Sequence, residues 1–372
     1  MSEALKSLER GFKRLLSHGL RFLLRSRPVS PPDPECVRNI VVIRQHNQLG
    51  DMLCVVPLLR ALRSLYTGAR VSLVASPANL DVMLHSRYLD EVIPFEKKEF
   101  LGAGGLHPGK LLAFLRGLRS RRFDMAIVPA TVSVSSTSDL LAYASRAPIR
   151  AGAAALEGVG NPYGFLFNLT RRLDWRGDPH RHQTLRNYDI VGSFVPEPTD
   201  LTHELTLTEK ESEIGREHAE SIGRGFERIV AFHPGAGKVP NRWPVDRFAA
   251  LANALGREFQ AMVLVTAGPM DDEPLNQMEC GLSVPHYLLK NESIRHVAAI
   301  LRFASLVVSN DTGIMHVAGG VGSPVLSIFG PTDPLQWAPL GAKNRSVVGT
   351  AGDIATVSVE DVLWVAREML RS

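Results

Sequence analysis

Arg228-Ile-Val-Ala-Phe-His-Pro-Gly-Ala-Gly-Lys238 is a short apolar run that stops abruptly at a proline and two glycines. A run of that length without polar alternation reads as a strand buried on both faces, and such strands belong to parallel sheets flanked by helices. The sequence downstream repeats the theme. Phe248 to Phe259 has helical periodicity, Met262 to Ala267 reads as a strand, Ile294 to Phe303 as a helix, and Leu306 to Ser309 and Val325 to Phe329 as two more strands. Upstream an equivalent series begins with the strand Asn39 to Arg44 and the helix Met52 to Tyr66. The strands Val71 to Ala75, Glu91 to Pro94 and Met125 to Val128 follow, with the helix Leu111 to Arg121 among them. The segment Ala130 to Val195, rich in glycine and punctuated by prolines, yields no individual elements. Strand and helix in alternation predict an α/β protein of two doubly wound domains with a cleft between them, since ligands of open α/β sheets bind beyond the carboxyl ends of the strands. The expected divisions are a basic helix and Pro-rich linker over 1–35, a first domain over 36–197, a second over 198–357 and a C-terminal helix over 358–372. The polar, Pro-containing stretch Pro196 to Glu213 serves as the linker between the domains.

A chain of 372 residues with 45% hydrophobic content can fill two cores and is neither disordered nor fibrous. Its three cysteines, Cys36, Cys54 and Cys280, give no disulfide framework and no paired short spacing of a structural zinc site, so a reducing compartment is expected. No run approaches the length of a membrane-spanning helix, and the N-terminus lacks the features of a secretory signal. The net charge of +4 is concentrated at one end. Residues 1–27 carry seven bases against two acids, a local +5 that leaves −1 for the remainder, so the globular part offers no basic face for nucleic acid. Within that segment Leu5, Leu8, Phe12, Leu15, Leu16, Leu20, Phe22 and Leu23 share one helical face and Arg10, Arg14, Arg21 and Arg25 the other. Such a helix either lies on an anionic membrane surface or packs on its own domain. The Pro-rich break from Arg27 to Pro34 lets it act independently.

Three segments sit where this fold places its chemistry, each directly after a buried strand. In Gln45-His-Asn-Gln-Leu-Gly-Asp51, Gly50 permits a tight turn and Asp51 falls at the start of the next helix. Asp51 is either a helix N-terminal acid or a carboxylate placed to take a proton from a hydroxyl. In His233-Pro-Gly-Ala-Gly-Lys-Val-Pro-Asn-Arg-Trp-Pro-Val-Asp246 the glycines allow close backbone approach, and Lys238 and Arg242 supply charge suited to a diphosphate. A Gly-x-Gly loop alone is a weak signal. In Ser309-Asn-Asp-Thr-Gly-Ile-Met-His316 the amides of Thr312, Gly313 and Ile314 would form an anion site at a helix N-terminus, with Asp311 and His316 flanking it. The alternative there is a capping acid and threonine with a core histidine.

Taken together, Leu-Gly-Asp51, Pro-Gly-Ala-Gly237 with Arg-Trp-Pro244, and Asn-Asp-Thr-Gly313 with His316 and Phe-Gly-Pro-Thr332 resemble family 9 glycosyltransferases, the family of the lipopolysaccharide heptosyltransferases. The likeness runs from about residue 38 to the C-terminus, and its most specific part is the third segment. It implies a GT-B fold of two Rossmann-like domains, the first binding the acceptor and the second the nucleotide sugar, with inversion at the anomeric carbon and no metal or other cofactor. By that resemblance Asp51 is the general base, and Gln48 and Gly50 lie on the acceptor side. Asp311 holds donor sugar hydroxyls, while Thr312, Gly313 and His316 hold the diphosphate. The cluster Asp271-Asp272-Glu273 lies near the ribose-binding acid without fixing which residue corresponds. Many members carry a lysine where this chain has Asn241, so by that resemblance either Arg242 or Lys238 supplies the phosphate charge or donor affinity is impaired. No Asp-x-Asp pair occurs, and no Gly-x-x-x-x-Gly-Lys-Ser/Thr loop for a kinase or ligase.

The implied reaction moves a sugar, heptose from an ADP-linked donor above all, onto a lipid-anchored saccharide at the inner face of the cytoplasmic membrane. Another nucleotide sugar on the same fold is the alternative, as is a catalytically silent homologue that only binds one. Joint retention of Asp51 and Asp311 favours activity.

Overall fold

The structure, a computed structural model, describes residue 24 and residues 26–45, 48–102 and 105–372. The basic amphipathic segment 1–27 therefore lies almost wholly outside the described residues, as do His46 and Asn47. By contacts the chain divides into two units. The first comprises 1–47, 57–80 and 87–199, and the second 48–56, 81–86 and 200–372.

The first unit is built on a sheet of order β3-β2-β1-β6-β7-β8, with β9 also pairing β7. Its strands are β1 Asn39–Arg44, β2 Arg70–Ala75, β3 Glu91–Pro94, β6 Met125–Ile127, β7 Ile149–Leu156, β8 Val159–Gly160 and β9 Leu169–Leu173. A separate two-stranded ribbon pairs β4 Leu101–Gly102 with β5 Gly105–Leu106. All but the β7–β8 pairing in the main sheet are parallel. Ile40 to Arg44 are buried without a break, as expected of a central strand covered on both faces. Under the sheet Phe95 packs on Phe100 and on Phe114, ring centroids 4.9 Å apart in both pairs. The stretch that yielded no elements in the sequence contains the helix Ser136–Ala144, the strands β7 to β9 and the helix Gln183–Tyr188. In its first turn Asp139 is buried, accepts a 3.0 Å hydrogen bond from the Asn161 amide, and is pushed by burial up to about 7.

The second unit holds a six-stranded parallel sheet of order β12-β11-β10-β13-β14-β15. Its strands are β10 Arg228–His233, β11 Ala261–Ala267, β12 His286–Lys290, β13 Leu306–Asn310, β14 Val325–Phe329 and β15 Arg345–Val348. From β10 the chain runs outward to β11 and β12 and then returns to place β13 on the other side of β10. The strand order thus reverses between β10 and β13, the position where doubly wound sheets bind ligands. The expected C-terminal helix forms as Val359–Arg371, capped by Ser358 and Asp361, and is part of this unit's core. Its Val362, Ala366 and Leu370 are buried in the same cluster as Phe248 and Leu255 of the helix Val245–Glu258.

Three local features differ from the sequence expectation. The helix expected over Met52 to Tyr66 forms as two pieces, Leu49–Leu53 and Val56–Leu65. Pro57 explains the break, because it lacks an N–H and its ring crowds the preceding turn, yet fits the first turn of a new helix. The expected linker Pro196 to Glu213 ends early, since the helix Glu209–Ile222 starts inside it with a complete capping box between Thr208 and Glu211. Finally, the short stretches 48–56 and 81–86 group with the second unit rather than with the flanking chain. For 81–86 the cause is Arg295. Its buried guanidinium donates to the backbone oxygens of Asp81 (2.7 Å) and Leu84 (3.3 Å) and pairs with both carboxylate oxygens of Glu211, holding that acid at about 2.

Candidate functional site

At the β10–β13 reversal two loops meet, and one side chain joins them. Asn310, the last residue of β13 and fully buried, donates through Nδ2 to the carbonyls of Pro234 (2.9 Å) and Gly235 (3.3 Å). Its Oδ1 accepts from the backbone N–H of Trp243 at 3.0 Å. The Pro-Gly-Ala-Gly loop, the start of the Trp-Pro segment and the end of β13 are therefore fixed as one piece. Trp243 anchors that piece below. Its ring is wholly buried edge-on against Phe248, and its Nε1–H donates 2.9 Å to the carbonyl of Val357.

Above this floor sits Asp311. Its Oδ2 accepts from the Asn241 amide at 3.0 Å and from the Thr332 hydroxyl at 2.5 Å. Burial raises its pKa, opposed by the Thr332 hydrogen bond and by the positive charge of Lys238. Asn241, where the family resemblance leads one to expect a lysine, supplies an amide that aligns Asp311, and Lys238 is a cation whose field reaches it. Arg242 turns its Nε–H back onto the carbonyl of Ala236 at 2.8 Å, bracing the loop.

Of the acidic cluster, only Asp271 is brought to these loops. Its Oδ2 accepts from the Gly268 N–H at 2.9 Å, and its carboxylate lies so close over Gly235 that a side chain at 235 would collide with it. Asp272 instead pairs with Lys290 at 2.9 Å, and Glu273 faces Gln277 on the outside of the helix Asp272–Gly281. Those two do not join the site, because the first residues of the helix turn them outward, where both are exposed. His233, at the tip of β10, places Nδ1 3.0 Å from the Thr266 carbonyl. Burial lowers its pKa against the pull of Asp271, 3.8 Å from Nε2.

The third segment forms the helix Gly313–Gly320 with Thr312 as its N-cap, and the threonine side chain makes no capping bond. The first-turn amides and the Thr312 hydroxyl thus lie together at a helix start, where the macrodipole favours an anion. His316, buried, is one turn in. The short helix Leu49–Leu53 packs on that turn. Leu49 covers Gly313, and a β-carbon added to Gly50 would stand 2.5 Å from His316 Cδ2 and 2.7 Å from Nε2. Only glycine at position 50 leaves room for the imidazole. Asp51 follows directly and is buried, whereas Gln48, the helix N-cap, is exposed and makes no side-chain capping bond.

Asn310, His203 and Cys54 belong to this neighbourhood without having been given a role from the sequence, as does Thr332, which the sequence offered only as part of a motif. Asn310 carried a signal, as a polar residue closing an apolar strand. Cys54 caps the short helix that carries Asp51, and Thr332 closes the Phe-Gly-Pro-Thr stretch, while His203 acquires its position only from distant parts of the chain.

Two doubly wound α/β units, the second with two polar loops meeting at its strand reversal, give the chain the GT-B fold. Residues 111–363 match the model of glycosyltransferase family 9 (heptosyltransferase), and the chain belongs to that family. It is 27% identical over 313 residues to lipopolysaccharide heptosyltransferase 2 of Salmonella typhimurium, covering 80% of this chain and 85% of that protein. Among solved structures it is similar to a family 9 glycosyl transferase from Veillonella parvula (TM-score 0.79, 21% identity, 90% of this chain and 97% of that one). The E. coli ADP-heptose lipopolysaccharide heptosyltransferase II also matches (TM-score 0.73, 23% identity, 90% and 98%).

Proposed function

We propose that the chain is an inverting, metal-independent glycosyltransferase that moves heptose from ADP-heptose onto a lipopolysaccharide-type saccharide. The observation that carries this reading is the packing of Asp51's helix on the N-terminal turn of Gly313–Gly320, with Asp311 aligned beside that turn by Asn241 and Thr332. The relatives' names, which specify lipopolysaccharide heptosyl transfer and ADP-heptose, support the choice of sugar and nucleotide.

In the reaction an acceptor hydroxyl oxygen bonds to the anomeric carbon while the bond from that carbon to the phosphate oxygen breaks. Negative charge builds on the departing diphosphate, and the amides of the Gly313–Gly320 helix start, the Thr312 hydroxyl, His316 and Lys238 meet it. Arg242 adds charge while bracing the loop. Asp51 takes the acceptor proton, which becomes acidic late in the displacement, so an ordinary carboxylate suffices. A single displacement inverts the anomeric configuration. Asp311 accepts hydrogen bonds from donor sugar hydroxyls, Asp271 from the ribose, and Gln48 and Gly50 border the acceptor. Among the described residues no helix is long and apolar enough to cross a membrane. A lipid-anchored acceptor would be met at the anionic membrane surface through the basic segment 1–27, and deleting residues 1–30 should then release the protein from anionic vesicles.

Thermal stabilisation by a panel of nucleoside diphosphates tests the donor assignment. ADP is expected to stabilise most, and equal or greater stabilisation by UDP or GDP would point to the alternative of another nucleotide sugar. A silent homologue would bind ADP-heptose and never turn it over.

A further inference from the structure

His203 lies on the irregular stretch just before Thr208, held alongside the helix Gly313–Gly320 by the 2.8 Å hydrogen bond from Leu205 N–H to the Gly320 carbonyl. It is buried, and so are His316 and Cys54, two polar side chains beside it. Its Nδ1 is 3.3 Å from His316 Nδ1, its Nε2 is 3.5 Å from Cys54 Sγ, and the two imidazole centroids are 5.0 Å apart. Cys54 closes the Asp51 helix, its N–H donating 3.0 Å to the Gly50 carbonyl. The three side chains thus link the helix that carries Asp51 to the helix that starts at the anion site.

One thiol and two imidazoles, with a ligand atom from each within 4.8 Å of the others, could in principle hold a soft cation. The orientation of His203 speaks against it. The ring turns a different nitrogen to each neighbour, while a cation could take only one of them. Facing each partner with its own nitrogen is the geometry of a hydrogen-bonded chain.

Two Nδ1 atoms at this distance share one proton, and its position decides what His316 presents on its far side. If His203 Nδ1–H donates to His316 Nδ1, a neutral His316 carries its own proton on Nε2 and is a donor there. In the opposite direction Nε2 is a bare lone pair, which repels a phosphate oxygen. The cysteine end selects the direction, because a thiol can donate to His203 Nε2, whereas its sulfur is a weak acceptor. We propose that His203 is a positioning residue: the chain Cys54 S–H to His203 Nε2, and His203 Nδ1–H to His316 Nδ1, fixes His316 as the Nε2–H tautomer for the donor diphosphate. The Cδ2–Nε2 edge concerned is the one lying along Gly50. The proposal rests on the reading of His316 as a diphosphate contact.

The test is nitrogen-15 NMR of the full chain with labelled histidine, the His316 signals being assigned by their loss in His316→Ala. Wild type is expected to show a protonated Nε2 and an unprotonated Nδ1 on His316, and protonation at Nδ1 instead would overturn the proposal. In parallel, ADP affinity is measured by calorimetry. His203→Phe should weaken ADP about tenfold, His203→Asn, whose amide replaces the Nδ1–H donor, should restore it to within about threefold, and Cys54→Ser should stay near wild type. Unchanged ADP affinity in a folded His203→Phe would overturn the relay. Unchanged affinity in His316→Ala would instead remove the diphosphate role on which it rests, whatever tautomer is found. One equivalent of bound zinc in the purified protein, lost in His203→Phe, would replace the relay by a metal site.

Discussion

Gly50→Ala sets two effects of opposite sign against each other. Alanine in place of glycine within a helix is worth up to about 1 kcal/mol of added stability, and less in a helix of five residues. The new methyl, however, would stand 2.5 Å from His316 Cδ2, where ordinary contact begins near 3.4 Å, so the ring must retreat by about 1 Å. It has no free space to enter, since it is buried and its other edge faces His203 at 3.3 Å. Forcing an extra methyl into such packing costs about 1 to 3 kcal/mol, which exceeds the helix gain. Net destabilisation of about 1 to 2 kcal/mol is expected, a fall in melting temperature of a few degrees. Displacing an imidazole by that distance also takes it out of hydrogen-bond reach, so ADP affinity should fall about tenfold. Differential scanning calorimetry with and without ADP reads both quantities. A variant that melts higher than wild type and binds ADP equally well would show that helix propensity alone governs position 50 and that His316 is not confined there.

Further expectations follow from other parts of the molecule. Asp311→Ala should raise the apparent donor constant at least tenfold with little change in acceptor affinity, and Thr332→Val should do so more mildly, since it removes one of the groups aligning that carboxylate; steady-state kinetics with both substrates varied separates the two. Asp139 binds its proton more tightly folded than unfolded, so its contribution is fully favourable only below about pH 4 and is lost as pH rises toward about 7. Asp139→Asn should therefore gain on wild type between pH 4 and pH 8, by up to roughly 4 kcal/mol, and a gap in melting temperature that does not widen would refute the buried charge. Turnover should survive EDTA, and reversible loss would contradict metal independence.

The parallel layering was legible because the central strands are continuous apolar runs, and β1, β10 and β14 fall within the expected bounds. What escaped had physical causes. β12 and β15 lie at the sheet edge, where partial exposure dilutes the apolar signal that marks central strands. The break after Leu53 was written in Pro57, and the helix start at Glu209 in the spacing Thr208-x-x-Glu211, both local signals outweighed by the apolar period and the polar composition around them. At the site, sequence placed Asp311 and Thr312 correctly at a strand end and a helix start. It could not choose among Asp271, Asp272 and Glu273, because only the turn of the helix beginning at Asp272 decides which acid faces Gly235. Asn241 looked like a loss of charge in sequence and is, in space, the donor that orients Asp311. His203 carried no signal at all, since its partners are 113 and 149 residues away.

The central claim is tested most directly by incubating the purified chain with ADP-heptose and a heptose-deficient lipopolysaccharide acceptor, with and without Asp51→Asn, and resolving the product by NMR. Wild type is expected to release ADP with formation of a heptosyl linkage of inverted anomeric configuration. Asp51→Asn should bind ADP normally and turn over at least about a hundredfold more slowly. A retained configuration, or undiminished turnover by Asp51→Asn, would contradict the account.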